Sequence, residues 1–174
     1  MPTNVEIKAA VSDLPALRKR IEAISDTPAE VIDQEDTFFA VPRGRLKLRV
    51  LSPNSGELIF YERSDTLDPK PSHYLISRTS DPSSLGALLA KSLGIIGAVR
   101  KRRTLYILGS TRVHLDEVDG LGTYMELEVV LAEGDFARDG EKTARRIMGA
   151  LGIDRSDLVK GAYIDLINAT KGKG

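Results

Sequence analysis

The sequence VRKRRTLYILGSTRVHLDEVDGLGTYMELEVVL, residues 99–131, predicts three β-strands joined by two short turns. The strands are separated by residues 109–110 (GS) and 119–122 (DGLG), which are rich in turn-forming residues. Side chains alternate between the two faces of a strand, so each strand presents two rows. In the second and third strands one row is largely apolar and the other carries charged side chains, whereas basic residues occur in both rows of the first strand. The fold depends on which row faces the interior.

Length and composition limit the classes of protein to consider. A chain of 174 residues is long enough to bury a core, and we predict a single domain over residues 1–170 followed by a flexible tail at 171–174. The 25 basic and 25 acidic residues give a formal net charge of zero, which disfavours general nucleic-acid binding. The absence of cysteine excludes disulfides and thiol catalysis. Without an apparent signal peptide or membrane-spanning run, we expect a cytoplasmic protein with no membrane partner.

The rest of the chain predicts five further strands and several helices. The strands precede residue 80 and alternate polar with apolar residues. Helices are predicted after the first strand, capped by Ser12 or Asp13, after the fifth strand, and toward the C-terminus. The strands are expected at 3–11, 31–41, 45–51, 57–63 and 72–79, and the later helices at 82–93, 139–151 and 154–170, the last one interrupted near Gly161. This is an antiparallel α+β pattern, and eight strands suffice to close a β-barrel.

The charged rows raise two alternatives for this barrel. Alternation usually means that the polar row faces water. Here, however, Arg, Lys and carboxylates occupy that row in strand after strand, whereas the apolar rows offer a surface that amphipathic helices can cover. In the second alternative the charged rows face inward. Such an interior would need a bound anion, because unpaired buried charge is costly. The residues concerned are eight basic ones, Lys8, Arg45, Lys47, Arg49, Arg63, Lys101, Arg103 and Arg112, and four acidic ones, Glu6, Asp116, Glu126 and Glu128.

Such an interior suits a phosphate chain and a divalent metal. Arg and Lys bind phosphate oxygens, and clustered carboxylates bind Mg²⁺ or Mn²⁺. Phosphoryl transfer depends mainly on charge neutralisation and alignment, which these groups supply. The sequence contains neither a P-loop nor a GxGxxG motif, so the common nucleotide-binding folds are not indicated.

Several short motifs, taken in order, resemble the CYTH superfamily, also called triphosphate tunnel metalloenzymes. They are VEIK at 5–8, DTFF at 36–39, GRLKLR at 44–49, LIFYER at 58–63, SHY at 72–74, VRKRRTLY at 99–106, TRVHLDEVDGLG at 111–122 and ELE at 126–128. The resemblance covers roughly residues 4–168 and is greatest to the branch that contains class IV adenylyl cyclases. It implies an eight-stranded antiparallel tunnel with a charged interior and with helices packed outside.

The resemblance also implies roles for the charged residues. Glu6, Glu126 and Glu128 would hold Mg²⁺ or Mn²⁺, and Asp116 would either lie near the metal or orient a basic neighbour. We assign Lys8, Arg49, Lys101 and Arg103 to catalysis, and Arg45, Lys47, Arg63 and Arg112 to substrate binding. Family members hydrolyse inorganic triphosphate, thiamine triphosphate or RNA 5′-triphosphates, or cyclise ATP. The sequence does not decide the oligomeric state, and a homodimer is one alternative.

One position departs from the family pattern. The first strand of the family carries ExExK, and the matching residues here are Asn4, Glu6 and Lys8. An amide in place of the first carboxylate is expected to weaken metal binding. Because hydrolysis needs fewer special groups than cyclisation, we predict metal-dependent triphosphate hydrolysis first and ATP cyclisation to cyclic AMP and pyrophosphate second. Asn4 motivates the third alternative, triphosphate or polyphosphate binding without turnover.

Other residues near the charged rows receive weaker assignments. We predict a structural role for His114, because it has no partner at ligand spacing in the sequence, and a structural role for His73 as well. Asp36 is left open between an inward and an outward position. Tyr61, Tyr106 and Phe38 are expected to pack, and Arg100 and Arg102 to lie outside the tunnel.

Overall fold

The computed structural model describes residues 1–172, in which eight strands form a closed antiparallel barrel. Around the barrel their order is β1-β5-β4-β3-β2-β6-β7-β8, and β8 pairs again with β1. The predicted eight-stranded barrel is thereby confirmed, although β6 begins earlier than expected. The strands are β1 (Thr3–Ala10), β2 (Glu30–Phe39), β3 (Arg45–Ser52), β4 (Ser55–Arg63), β5 (Lys70–Thr79), β6 (Ile95–Leu108), β7 (Thr111–Val118) and β8 (Gly122–Val130).

The described chain also contains four α-helices, α1 (Leu14–Ile24), α2 (Pro82–Leu93), α3 (Ala137–Leu151) and α4 (Tyr163–Lys171). The α1 and α2 helices start where the sequence predicted, because Asp13 and Asp81 accept hydrogen bonds from backbone amides three residues later. Lys171, predicted to start the tail, is the last residue of α4, whereas residues 173–174 lie outside the described part. Within residues 1–172, every helix is too short or too polar to span a bilayer.

The apolar rows face outward and carry the helices. The largest core cluster lies between α1, α3 and the outer face of the barrel, and Leu115 and Leu127 belong to it. A second cluster places Leu46 and Leu48 beneath α2. Tyr106 packs in the first cluster, as predicted. The arrangement with the charged rows inside is therefore confirmed, and the hydrophobic free energy of folding comes from burial outside the barrel wall.

The strand register brings the charged residues together. In a β-ladder, residues directly opposite each other have neighbouring side chains. Strand β8 pairs with β1 and with β7. The opposed pairs are Glu6 with Glu128, Lys8 with Glu126, Arg112 with Glu128 and His114 with Glu126. Between β6 and β7, Arg103 lies opposite Asp116. Charges that are distant in sequence thus share one barrel interior.

The α3 helix approaches β1 closely at Gly140. A Cβ atom at this position would lie 2.7 Å from Val5 Cγ2 and 2.9 Å from Leu131 Cδ2. At Gly149, on the exposed side of the same helix, a Cβ would meet no atom within 4 Å. Substitution of Gly140 therefore tests the packing of α3 on β1, whereas substitution of Gly149 tests helix propensity alone.

We expect Gly140→Ala to lower the free energy of unfolding by about 1–3 kcal/mol, because the added methyl group overpacks the contact with β1. The matched control Gly149→Ala should raise it by up to about 1 kcal/mol, because alanine favours the helix. Urea denaturation of both variants measures the difference. Equal stabilisation by the two substitutions would contradict the close packing of α3 on β1.

Candidate active site

The barrel encloses a cavity of about 380 Å³ that is lined by inward side chains of all eight strands and by the start of α4. Its lining has an excess of three positive charges, since eight basic and five acidic side chains contribute. The basic ones are Lys8, Lys47, Arg49, Arg63, Arg78, Lys101, Arg103 and Arg112, and the acidic ones are Glu6, Asp36, Glu57, Glu126 and Glu128. An interior of this kind attracts a compact polyanion.

Most of the predicted site residues line this cavity, and two do not. Arg45 lies outside the lining, where its guanidinium donates two hydrogen bonds, of 3.0 and 2.6 Å, to Asp165 in α4. Asp116 is fully buried behind the lining. Arg100 and Arg102 lie outside the barrel as expected, paired with Glu35 and Asp33. The structure thus favours an anchoring contact to α4 for Arg45 rather than substrate binding.

Arg103 is held by two carboxylates in the barrel interior. Its Nε and Nη2 atoms each donate a 2.7 Å hydrogen bond to Asp116, and Nη2 also lies 2.7 Å from Glu126 Oε2. Tyr163 donates a further 2.7 Å hydrogen bond to Asp116. Burial alone would raise the pKa of Asp116, but the Arg103 guanidinium outweighs it and lowers that pKa. With both oxygens engaged, Asp116 fits the orienting role better than that of metal ligand.

Asp36 points inward and positions two cations of β3. It accepts a 2.9 Å hydrogen bond from Lys47 and two of 2.8 Å from Arg49. Burial opposes ionisation of Asp36, but Lys47 and Arg49 outweigh it and hold its pKa well below the ordinary range. The question left open by the sequence is settled by these contacts: Asp36 is a fixed anion of the interior.

Lys8 and Lys101 flank Tyr163, the first residue of α4. The Lys8 ammonium donates to the Gly161 carbonyl at 2.9 Å and lies 3.8 Å from the centre of the Tyr163 ring. Burial lowers the pKa of Lys8 to about 8. The Lys101 ammonium lies 5.0 Å from the same ring, and among the described residues it makes neither a hydrogen bond nor a salt bridge within 4 Å. Its ammonium is therefore free to meet an anion.

A possible metal-binding group lies on β7 and β8. One ring nitrogen of His114 and one carboxylate oxygen from each of Glu126 and Glu128 lie within 4.8 Å of one another. Burial and the Glu128 carboxylate raise the pKa of Glu6, on the neighbouring strand β1. A divalent cation would relieve this repulsion, since like charges in a low-dielectric interior are costly.

Unpaired polar atoms in the lining support the same fit. His114 Nδ1 and Asn4 Oδ1 are buried without a hydrogen-bond partner among the described residues. Burial and Arg103 lower the pKa of His114 to about 4, so the imidazole is neutral at pH 7 and keeps a free lone pair. Carboxylate, amide and imidazole donors together fit a divalent ion such as Mn²⁺ or Mg²⁺.

Two residues that the sequence analysis did not place in the site line the cavity, His114 and Tyr163. His114 was assigned a structural role, although the tight turn at 119–122 fixes the β7–β8 register and so places it opposite Glu126. Tyr163 gave no comparable signal, because it enters the barrel from a helix more than 30 residues beyond the last strand.

Comparison with known proteins identifies the family. The sequence profile of the CYTH domain matches residues 2–163. The chain belongs to this family. This CYTH protein is 22% identical over 170 residues to the adenylate cyclase CyaB of Aeromonas hydrophila. The alignment covers 92% of this chain and 86% of CyaB. The resemblance deduced from the motifs is confirmed.

Solved structures show the same fold. The PH1012 protein of Pyrococcus horikoshii OT3 matches with a TM-score of 0.84 and 23% identity, over 94% of this chain and 99% of that one. HpAC1 from Hippeastrum, a proposed adenylyl cyclase described as having a dominant triphosphatase activity, matches with a TM-score of 0.67 and 16% identity, over 98% and 96% of the two chains. The fold is therefore shared with both proteins.

The free ammonium of Lys101 predicts pH-dependent anion binding. Burial and Arg103 lower the pKa of Lys101 to about 7. Its positive charge is present below pH 7 and is lost as the pH rises through that value, so affinity for inorganic tripolyphosphate should fall between pH 6 and pH 9. Calorimetric titration in the presence of a chelator measures this affinity without metal. The contribution of Lys101 to the fall can reach about 100-fold, which corresponds to two pH units above its pKa.

Lys101→Arg isolates this contribution, because arginine stays charged at pH 9. Its loss of affinity should be smaller than that of the wild type. Lys91→Arg, the same change in helix α2 away from the cavity, should leave the profile as it is. Identical pH profiles for all three proteins would exclude Lys101 as the titrating group.

Proposed function

We propose that this CYTH protein is a divalent-metal-dependent triphosphatase that binds its substrate inside the barrel. The observation that carries the proposal is one cavity of about 380 Å³ in which basic side chains of β3, β4 and β6 accompany the His114–Glu126–Glu128 group. The size and the charge of this cavity suit a triphosphate chain together with one cation. The cytoplasmic location and the homodimer considered from the sequence stay predictions.

The proposed metal would be held by Glu126 and Glu128, with Glu6 beside them on β1. When bound, it would polarise a phosphoryl oxygen and lower the pKa of a bound water. The protein side chains perform the remaining tasks. Lys47 and Arg49, fixed by Asp36, bind phosphate oxygens, and Lys101 neutralises the charge that develops on the leaving group. Asp116 keeps Arg103 aimed into the cavity.

Family membership and the relatives support an enzyme that acts on a triphosphate-bearing substrate. Hydrolysis needs only water besides the groups in the cavity, and a dominant triphosphatase activity is described for HpAC1. We therefore rank hydrolysis of an inorganic or organic triphosphate first.

A specific observation favours ATP cyclisation as the second candidate. The relative CyaB, aligned over 92% of this chain, is an adenylate cyclase. Apolar residues Ile32, Ile76 and Leu105 also line the cavity, and Ile76 is half-exposed, so that a nucleoside has apolar surface to contact. In this reaction the ribose 3′-hydroxyl would attack the α-phosphorus and pyrophosphate would leave. Binding without turnover remains the third candidate, because Asn4 replaces a carboxylate.

Product analysis of the purified protein tests these candidates. Tripolyphosphate, thiamine triphosphate and ATP are each incubated with Mg²⁺ or Mn²⁺. We expect release of inorganic phosphate that is abolished by a chelator. Formation of cyclic AMP and pyrophosphate from ATP would instead establish the cyclase, and tight tripolyphosphate binding without any product would establish the binding module.

Removal of the two β8 carboxylates tests the metal site. The double variant Glu126→Gln/Glu128→Gln should lower metal-dependent turnover by about 100-fold or more, because the cation loses its charged ligands. Glu117→Gln, on the outward face of β7, is the matched control and should keep its activity. Circular dichroism confirms that each variant folds. Wild-type turnover in the double variant at the same metal concentration would remove these residues from the site.

A further inference from the structure

His114 has the geometry of a ligand rather than that of a packing residue. It is only 4% exposed and lines the cavity from β7. Its Nδ1 atom is buried without a hydrogen-bond partner among residues 1–172 and lies 3.8 Å from Glu128 Oε1. A buried polar nitrogen without a partner is destabilising unless something else satisfies it.

The position of the His114 ring relative to the two β8 carboxylates fits a shared cation. One ligand atom from each of His114, Glu126 and Glu128 lies within 4.8 Å of the other two. Atoms bound to one ion at about 2.0–2.3 Å lie at most about 4.6 Å apart, so small side-chain rotations suffice to bring them onto the ion. The β7–β8 register holds them in place, because His114 lies opposite Glu126.

The carboxylates near this nitrogen already have cationic partners. Arg103 binds Glu126 at 2.7 Å, Arg63 binds Glu6 at 2.9 Å, and Arg112 lies 3.2 Å from Glu128. On β1 the residue before Glu6 in the inward row is the uncharged Asn4. Among the described residues, therefore, no cationic side chain binds His114 Nδ1, which can serve as a metal ligand. It can replace the ligand that Asn4 of the first strand does not provide.

We propose that His114 is a nitrogen ligand of the divalent cation in this CYTH tunnel and that it makes the site prefer Mn²⁺ over Mg²⁺. The inference rests on the proposed function, because it adds a ligand to the metal group of the same cavity. Mg²⁺ favours an all-oxygen shell with near-ideal octahedral geometry. Imidazole is a better ligand for transition-metal ions, and affinities for a given mixed site rise along the series that begins with Mn²⁺.

The chain contains two histidines, which allows a direct spectroscopic test. His73 is exposed and its ring bonds Thr3 at 2.9 Å. In tag-free His73→Gln protein, His114 is therefore the sole imidazole. With one equivalent of Mn²⁺, pulsed electron paramagnetic resonance should detect a ¹⁴N hyperfine coupling to the metal. This measurement needs no substitution at His114, so it does not depend on whether such a variant folds.

A metal titration supplies the second readout. Wild type and His73→Gln should bind Mn²⁺ more tightly than Mg²⁺. His114→Gln should weaken Mn²⁺ binding by at least about 10- to 100-fold, the range for loss of an outer-shell partner of a metal ligand, and should change Mg²⁺ binding much less. The variant would thus lose the selectivity rather than the site.

The outcomes separate this inference from the proposed function. Mn²⁺ bound without ¹⁴N coupling in His73→Gln would overturn the role of His114 and leave a carboxylate metal site intact. Equal losses of Mg²⁺ and Mn²⁺ affinity in folded His114→Gln would overturn the selectivity. A protein that binds neither ion and turns over triphosphates without metal would overturn both the inference and the proposed metal dependence.

Discussion

The Arg103–Asp116 pair is buried in the barrel, with Arg103 at the cavity and Asp116 behind it, and it meets the main constraint on this fold. A barrel that turns its charged rows inward must compensate each charge by geometry, because desolvation of an unpaired ion costs more than most folding interactions provide. Two hydrogen bonds from Arg103 to Asp116 and a third to Glu126 meet this requirement on β6, β7 and β8. Asp36 does the same for the two cations on β3.

This constraint extends to the helices outside the wall. Since the interior is polar, the hydrophobic core has to form between the outer faces of the strands and the helices. The α4 helix has both tasks. Ile164 packs in a core cluster, whereas Tyr163 hydrogen-bonds Asp116 and Asp165 pairs with Arg45. The last helix therefore contributes to the charge network as well as to the packing.

Compensation inside the barrel is incomplete in a way that indicates function. The lining keeps an excess of three positive charges, and Lys101 has no acidic partner within 4 Å among the described residues. On the β1–β8–β7 side, by contrast, three carboxylates lie close together with arginine partners, and it is His114 Nδ1 that has no hydrogen bond among the described residues. A free cation and a crowded anionic group in one cavity match the two ends of a metal–triphosphate complex. Buried polar groups without a partner, such as the Lys101 ammonium and His114 Nδ1, are frequently functional.

The sequence by itself determined the local pattern. Alternation with a period of two placed Lys101 and Arg103 in one row and Arg100 and Arg102 in the other, and Asp13 and Asp81 marked the starts of α1 and α2. Strand positions followed to within a few residues, and the motif order gave the family, because these properties depend on neighbours along the chain.

Only the tertiary structure decided which atoms meet. From the sequence, several basic residues were candidate partners for Asp116 and for Asp36. Barrel closure and strand register pair Asp116 with Arg103, and Asp36 with Lys47 and Arg49. Arg45 shares a row with Lys47 and yet pairs with Asp165 of α4, 120 residues away. The positions of His114 and Tyr163 at the cavity likewise follow from the tertiary structure. The physical reason is that a buried charge selects its partner by distance in space, and that distance is fixed only when β8 closes on β1 and α4 packs against the barrel.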